Sequence, residues 1–474
     1  MSLADDRAFV FAHRPALGRL FSSEKNKTWI DYAREHFTHM NREVHPVYAK
    51  RFGEFAHACQ TVCEPVFGTE FTRRILSTLK SQRFLSTADH HGVLCHPFFL
   101  NATILRSIYE PDEPIITFGC GGVSFSNSSY PRGIFFHDSD LNRIKIPFVP
   151  WRDRMLPVYG HSPLSALDID HIESKGDAAN IPQAQKHILH TFFDAVRDHA
   201  LSDSLTTISD QYSLISQILW KMSDMSSDLA YIEIESVMRQ LLLHTHLDQD
   251  TFIHRMIFDR DCRDAYITHF TKVTGAHAHN THGTHLFWYI DRVHARRVAL
   301  FAQKTTANSY VLQSLDQSVT IALDPDTIRK NILDHSLLPC LALCYSTISF
   351  YYGFTLGGGF SQIDYLGDMK KAYRDVTQTV GADEDCCDDI QTNVFTGEFV
   401  VAGVSDHTHT QPASLVDMLL WSGKSTQPNI VKLFDALSIA ESLDLMMPEF
   451  KRIVSPKSDG NSDAPIFPAS VYVT

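Results

Sequence analysis

The spacing of apolar residues predicts helices at the start of the chain. Between residues 28 and 67, aromatic and aliphatic side chains recur three or four positions apart, as Trp29, Tyr32 and Ala33 do, and this is the period of an amphipathic helix. Residues 69–81 continue the same period. We therefore expect residues 1–85 to form a helical N-terminal segment.

The pattern changes after residue 85, where short β-branched and aromatic runs alternate with Gly and Asn-Ser turn signals. Helical periods return later and are followed by β-like sequence up to residue 323. We expect residues 86–323 to form a central α+β region. The predicted strands are 115–118, 134–136 and 144–149, and the predicted helices are 182–199, 209–223 and 228–247.

The last part of the chain is predicted to be helical from residue 324 to 455. Asp324-Pro325 opens a helix with proline in its first turn, where the missing N–H costs nothing. Residues 337–354 suggest a buried helix, and 362–380 an amphipathic one. The polar stretch 456–474 is expected to be a mobile tail. The whole chain is predicted to be a helix-rich α+β protein with short mixed β segments, forming one large cooperative unit.

Composition and charge limit the classes of molecule that the chain is expected to bind. The chain has 474 residues, of which 44% are hydrophobic and 20% charged, a balance typical of globular proteins. Its net charge is −13, and its basic residues occur only in short pairs. Because phosphate contacts need clustered Lys and Arg, we expect no nucleic-acid partner.

The cysteines and the N-terminus indicate a cytoplasmic protein. Nine scattered cysteines contain no C-x-x-C pair, which is typical of reduced thiols. The first 21 residues are interrupted by charges and a proline and lack the apolar core of a secretion signal. No window reaches the roughly 20 apolar residues of a membrane span, so we expect no membrane partner.

Histidine clusters are the most informative chemical feature. The first is Asp89-His90-His91-Gly92-Val93-Leu94-Cys95-His96, in which three imidazoles and one carboxylate fall within eight positions. Neutral imidazole is a common ligand of zinc or iron. We expect His90 and His96 to bind a metal, and Asp89 and His91 to act in catalysis. The alternative is a polar loop in which His96 caps a helix.

The second cluster, residues 277–285, is denser, with four histidines in nine positions. In an extended strand the first two would share one face. The spacing resembles the H-x-H-x-D-H motif of the metallo-β-lactamase superfamily, but Thr281 replaces its aspartate, so we do not assign the chain to that family. The predicted metal ligands from this cluster are His277, His279, His282 and His285.

Three further segments are candidates for binding. The glycine- and hydroxyl-rich loop 119–133 offers backbone N–H groups and the Arg132 guanidinium to an anion, with Asn127 as a second substrate-binding residue; a plain β-turn is the alternative. Gly357-Gly358-Gly359 precedes a helix, whose N-terminus favours anions. Residues 406–409, Asp-His-Thr-His, form a short ligand-compatible cluster.

Together these features favour a metal-dependent enzyme, a hydrolase or a non-haem oxygenase, that acts on a small polar or anionic metabolite. The expected cofactor is a divalent transition metal, zinc or iron, held by histidines from distant segments. One alternative is a metal-free biosynthetic transferase or ligase that uses the glycine-rich loops, with histidine as general base. Another is a non-catalytic binding protein with surface histidines. Oligomeric state is left open.

Overall fold

The computed structural model describes residues 3–37, 44–127, 129–271, 273, 276, 283–305, 309–382, 387–405, 410–422 and 426–455. The protein is 53% helix and 15% strand, and its strands form several small sheets, which confirms the predicted helix-rich α+β class. Three short segments have other helical geometry, one 3₁₀ turn at Trp151–Asp153 and two π-helical turns at Leu242–His246 and Ser346–Tyr351.

The helices of the described chain, in order, are α1 (Leu3–His13), α2 (Pro15–Glu24), α3 (Trp29–His36), α4 (Pro46–Phe67), α5 (Thr69–Gln82), α6 (Pro97–Tyr109), α7 (Ala166–Asp177), α8 (Gln183–Ala200), α9 (Ile208–Met222), α10 (Ile234–Leu241), α11 (Phe252–Phe258), α12 (Arg260–Phe270), α13 (Pro325–Leu333), α14 (Leu341–Tyr345), α15 (Gln362–Thr379), α16 (Leu415–Trp421), α17 (Thr426–Ala436), α18 (Ile439–Asp444) and α19 (Met447–Val454). The strands are β1 (Phe84–Ser86), β2 (Ile115–Gly119), β3 (Gly133–His137), β4 (Arg143–Pro147), β5 (Leu229–Glu233), β6 (Phe287–Asp291), β7 (Arg296–Ala299), β8 (Phe301–Lys304), β9 (Tyr310–Gln313), β10 (Thr320–Ala322), β11 (Leu337–Pro339), β12 (Thr355–Gly357), β13 (Gly403–Ser405) and β14 (Thr410–Pro412).

A four-stranded parallel sheet lies at the centre of the molecule, in the order β12-β1-β2-β5. Its strands are short and buried, and they are joined by helical crossovers, as parallel pairing requires. The register places Leu85 opposite Leu356, Ser86 opposite Thr117, and Thr117 opposite Tyr231. The other sheets are small and antiparallel: β3-β4, β11-β6-β7, β10-β9-β8 and β13-β14.

The two faces of the parallel sheet bury different cores, because successive side chains of a strand point to opposite faces. Phe84, Ile115 and Tyr231 belong to one core, which also contains residues of α6 and α9. Leu85 and Ile116 belong to the other, which contains residues of α4, α5 and α10. The sheet is therefore the middle layer between two sets of helices.

Several predicted elements are confirmed. Helix α5 matches the predicted 69–81, α13 opens after an Asp324 N-cap, and α15 occupies the predicted 362–380. Strands β2, β3 and β4 lie where the sequence predicts them.

Two predicted helices are wrong at their ends. The range 228–247 begins with strand β5 and becomes helical only at Ile234, because its first residues pair with β2. The range 337–354 begins with strand β11, continues as α14 and a π-helical turn, and ends near β12.

The predicted boundaries at 85 and 323 stay predictions. Strand β1 spans the first boundary, and β12, which follows the second, pairs with β1 in the same sheet. The predicted tail, 456–474, lies outside the described residues. Among the helices of the described ranges, none combines the length and apolar character needed to cross a membrane.

Candidate functional site

Chemically active side chains gather where three neighbouring strands of the parallel sheet end. Asp89, His90 and His91 follow β1, the turn 119–122 closes β2, and Glu233 ends β5. In open α/β sheets the carboxyl ends of the strands form the usual ligand-binding edge. We call this region the carboxyl edge.

The backbone extends the pairing of β1 and β2 beyond the strands. Cys120 donates its N–H to the Asp89 carbonyl at 2.9 Å, and His91 donates to the Cys120 carbonyl at 3.0 Å. The Asp89 carboxyl and the His91 ring both lie against Tyr231 of β5, whereas the His90 ring is directed to Asn127. The His91 ring stacks on Tyr231 of β5, with centroids 4.8 Å apart and planes 14° apart.

Asp89 and His91 carry buried atoms that lack partners. Asp89 is 4% exposed and His91 is fully buried. Within the described ranges, Asp89 Oδ2, His91 Nδ1 and the hydroxyl of Thr117 on β2 have no hydrogen-bond partner. Native proteins seldom leave buried polar atoms unpaired, since each costs about 1–3 kcal/mol. These three atoms are therefore suited to hydrogen-bonding with a ligand.

The tautomer of His91 follows from its one hydrogen bond. Its Nε2 lies 3.1 Å from the Ser209 carbonyl, which only accepts, so Nε2 carries the proton. Burial lowers the pKa of His91 to about 4, so the ring is neutral near pH 7. The bare nitrogen is therefore Nδ1, which presents a lone pair as a base or a ligand.

Burial also raises the pKa of Asp89, to about 7. A hydrogen bond from the Tyr231 hydroxyl opposes this rise in the pKa of Asp89, and the same hydroxyl lies 3.1 Å from the His90 carbonyl. No ion pair of the described residues includes Asp89. Among the described residues, Asp89 therefore has no cation paired with it.

His90 is oriented by Asn127, one of the predicted substrate-binding residues. Asn127 Oδ1 accepts from the Ser129 N–H at 3.2 Å, so it is the oxygen, and the His90 Nδ1 at 2.9 Å must donate to it. This leaves Nε2 of His90 unprotonated. A ligating imidazole often has such a partner behind it, so the arrangement is compatible with the predicted metal role of His90.

Two glutamates lie on either side of the Gly121-Gly122 turn. Glu235 accepts from the backbone N–H groups of Gly121 and Gly122 at 2.7 and 2.8 Å. Glu233 accepts from the Ser209 hydroxyl at 2.6 Å, and its Oε1 occupies the space that a Cβ on Gly121 would need, 1.8 Å from the ideal position. Burial first, and then repulsion between the two carboxyls, raises the pKa of Glu233. Burial also raises the pKa of Glu235, and the Arg297 guanidinium opposes that rise.

Both glycine turns that were predicted to bind anions hold internal carboxylates. Glu235 takes the amides after β2, and Glu398 accepts from the Phe360 N–H at 2.6 Å in the turn after β12. The crevice between β1 and β12 is also bridged by side chains, since Gln362 Nε2 donates to the Thr87 hydroxyl at 2.7 Å. The unpartnered atoms thus lie on the β1-β2-β5 side of the edge.

Arg132 lies in a different setting. Its Nε donates to the Val149 carbonyl at 2.7 Å, and its guanidinium lies 5.2 Å from the ring of Trp151, which is 64% exposed. The arginine and the amides of the 119–122 turn therefore have different partners. A role for Arg132 in substrate binding stays a prediction.

The remaining predicted metal ligands are placed as follows. His96 is the N-cap of α6, and its Nδ1 accepts from the Phe98 N–H at 3.3 Å, which is the helix-capping alternative noted from the sequence. His285 accepts from the Ala302 N–H at 3.2 Å. His277, His279, His282 and the 406–409 cluster lie outside the described residues, so the convergence of the clusters stays a prediction.

One group of metal-ligand type does occur in the described part of the chain, and it contains none of the predicted ligands. Glu24, Glu35 and His36 bring ligand atoms within 4.8 Å of one another. The Lys27 ammonium already contacts both carboxylates, at 2.8 Å in the case of Glu24. A cation of the protein itself thus neutralises this group.

Sequence reasoning missed Glu233, Glu235 and Tyr231. The predicted helix over 228–247 hid them, because a helix does not place these residues at the end of a strand. The run Leu-Ala-Tyr-Ile after the Ser226-Ser227 turn is continuously apolar, as expected for a buried parallel strand, but such a run does not by itself distinguish a strand from a buried helix.

No family model matches the chain, and neither a curated protein nor a solved structure shows significant similarity to it.

Proposed function

We propose that the chain is a cytoplasmic enzyme that transfers protons to and from a small polar metabolite, with Asp89 and His91 at the reaction centre. One observation carries the proposal: Asp89 Oδ2 and His91 Nδ1 are buried and unpartnered within the described ranges, two positions apart, at the carboxyl edge. A carboxyl and a neutral imidazole are the groups most used in general acid–base catalysis.

The surroundings support distinct roles for the two residues. His91 is held by the Ser209 carbonyl and by stacking on Tyr231, so its Nδ1 is a fixed acceptor for a substrate proton. Asp89 has no cationic partner within the described part of the chain, and a carboxyl in that setting exchanges its proton near neutral pH. Eight buried free thiols among the described residues support a reducing, cytoplasmic environment.

A turnover screen tests the proposal. Wild type, Asp89→Asn and Asp138→Asn are incubated with a library of small polar metabolites, and consumption is followed by mass spectrometry. Asp138 is a matched control, because it is buried and fully hydrogen-bonded within the turn after β3. We expect Asp89→Asn to lose about 10²–10⁴-fold in rate and Asp138→Asn to retain it. Equal turnover by Asp89→Asn, or no turnover by wild type, would contradict the proposal.

A metal-dependent enzyme is the second candidate, because the bare Nε2 of His90 is a ligand-type atom with Asn127 behind its ring. Its co-ligands would be residues other than Asp89 and His91, since in the described part of the chain these three side chains do not bring ligand atoms within 4.8 Å of one another. Elemental analysis of untagged protein tests it. A stoichiometric metal that is lost in His90→Ala supports it, and metal-free protein with full turnover excludes it.

A further inference from the structure

The carboxyl edge buries three acidic groups with few cations beside them. Asp89, Glu233 and Glu235 are each 4% exposed or less, and no ion pair of the described chain includes any of them. Arg297 is the cation whose charge acts on Glu235, and its guanidinium donates to the Gly122 carbonyl at 2.5 Å. No ion pair of the described residues neutralises Asp89 or Glu233. Because burial and the neighbouring Glu235 raise the pKa of Glu233, that group holds its proton, and Asp89 is the carboxyl left for a ligand to neutralise.

The unpartnered atoms are mainly hydrogen-bond acceptors, so a ligand that satisfies them must offer donors. A carboxylate oxygen such as Asp89 Oδ2 accepts, and the His91 tautomer set by the Ser209 carbonyl makes Nδ1 an acceptor as well. The Thr117 hydroxyl accepts or donates. An anion brought to this edge would meet two acceptors and further buried carboxyls, which is repulsive.

We propose that the ligand of the carboxyl edge is an organic cation, a small primary amine whose ammonium group donates to Asp89 Oδ2 and His91 Nδ1. This inference rests on the proposed function. An ammonium has three donors and no acceptor, so it matches these atoms and supplies the missing charge. This inference replaces the anionic metabolite expected from the glycine-rich loops, because Glu235 already accepts from the Gly121 and Gly122 amides and Glu398 from the Phe360 amide.

A divalent metal ion would also bring positive charge to the carboxyl edge. A protein metal site generally needs three or more ligand atoms close together. In the described residues, the acid and imidazole atoms of this edge do not form such a group, whereas those around Glu24 do. The amine is therefore the occupant that the geometry favours.

Three probes of equal length test the proposal by calorimetry at constant ionic strength: 1,4-diaminobutane, 1,4-butanediol and succinate. We expect the diamine alone to bind wild type and Asp138→Asn. In Asp89→Asn its affinity should fall about tenfold or more, the loss expected for one charge-assisted hydrogen bond. His91→Phe, which keeps the aromatic stack on Tyr231 but removes both nitrogens, should weaken binding as well. Circular dichroism of each variant checks that it is folded.

The outcomes separate this inference from the proposed function. If succinate or the diol binds in an Asp89-dependent manner and the diamine does not bind, the proposal of a cationic ligand is overturned. The proposed reaction centre at Asp89 and His91 would then still stand. Zinc chloride alone is titrated in a separate arm. If zinc binds in an Asp89-dependent manner and the diamine does not bind, the proposal of an amine ligand is overturned. Equal binding of every probe to wild type and Asp89→Asn would overturn both.

Discussion

Gly121 is the residue on which the geometry of the carboxyl edge depends most directly. Its backbone is not in the left-handed region, so conformation does not demand glycine there. Lack of space does demand glycine at this position, because an ideal Cβ would lie 1.8 Å from Glu233 Oε1 and 2.5 Å from its Cδ. The absence of a side chain at Gly121 is what lets the Glu233 carboxyl pack against the turn.

We therefore predict that Gly121→Ala destabilises the protein by about 2–4 kcal/mol, because the Glu233 carboxyl must leave its two hydroxyl donors. Gly53→Ala is the control, since nothing lies within 4 Å of its Cβ position and it lies exposed within α4. That change should stabilise by up to about 1 kcal/mol. Urea unfolding measures both, and equal effects would contradict the steric account.

The raised pKa of Glu233 gives a pH dependence of stability. Its folded pKa lies above the ordinary value of 4.5, so the folded state holds a proton that the unfolded chain has lost. Stability is then fully present below the unfolded pKa and falls as pH rises towards the folded pKa. We predict that wild type loses about 1–3 kcal/mol from this group between about pH 5 and pH 8.

Glu233→Gln removes the titration and keeps the shape. Its free energy of unfolding, measured in urea over the same pH range, should decline less steeply than that of wild type. Glu70→Gln, an exposed residue of α5, is the control and should follow wild type. A Glu233→Gln curve parallel to the wild-type curve would show that Glu233 is ionised throughout.

At the scale of elements, a buried aspartate joins helix α16 to strand β3 through hydrogen bonds. Asp417 is fully buried and accepts from the His137 backbone N–H at 2.6 Å, from His137 Nδ1 at 3.0 Å, and from the Ser414 N–H and hydroxyl at 2.9 Å. One carboxylate thus caps α16 and pairs with a histidine at the end of β3.

We predict that Asp417→Ala costs about 3–5 kcal/mol, because it leaves several buried donors without an acceptor. Asp168→Ala is the matched control, since Asp168 occupies the same capping-box position at the start of α7 on an exposed surface. That change should cost about 1 kcal/mol, the usual value for a lost cap. Similar losses of stability in the two variants would argue against the tie between α16 and β3.

Elements were predictable from the sequence where a single period or cap decides the structure. Helix α13 follows from its Asp324-Pro325 start, and β3 and β4 from short apolar runs between turn signals. Strand β5 was not predictable from the sequence, because its apolar run continues without a break into α10. Pairing with β2 decides where the helix begins.

The candidate site was predictable only in part for a related reason. The sequence points to Asp89 and His91 because both lie in a dense polar cluster. It does not reveal that β1, β2, β5 and β12 form one sheet, since the order of strands depends on contacts between segments far apart in the chain. Glu233 and Glu235 join the site only through that order.

At the scale of the whole molecule, the parallel sheet couples the two cores, because alternate residues of each strand belong to different cores. Loss of either core would expose one face of the same strands. We therefore predict that both cores unfold together, as the sequence-based expectation of one cooperative unit requires.

Buried thiols in both cores provide the measurement. Cys95 belongs to the first core and is 1% exposed, whereas Cys59 and Cys344 belong to the second and are fully buried. Alkylation at increasing urea, with each site read by mass spectrometry, should give one midpoint for all three thiols. A lower midpoint for Cys95 alone would mean that the α6–α9 layer opens first and that the sheet does not transmit stability between its faces. Because the carboxyl edge is formed by this sheet, a shared midpoint would also mean that the site keeps its geometry until the whole protein unfolds.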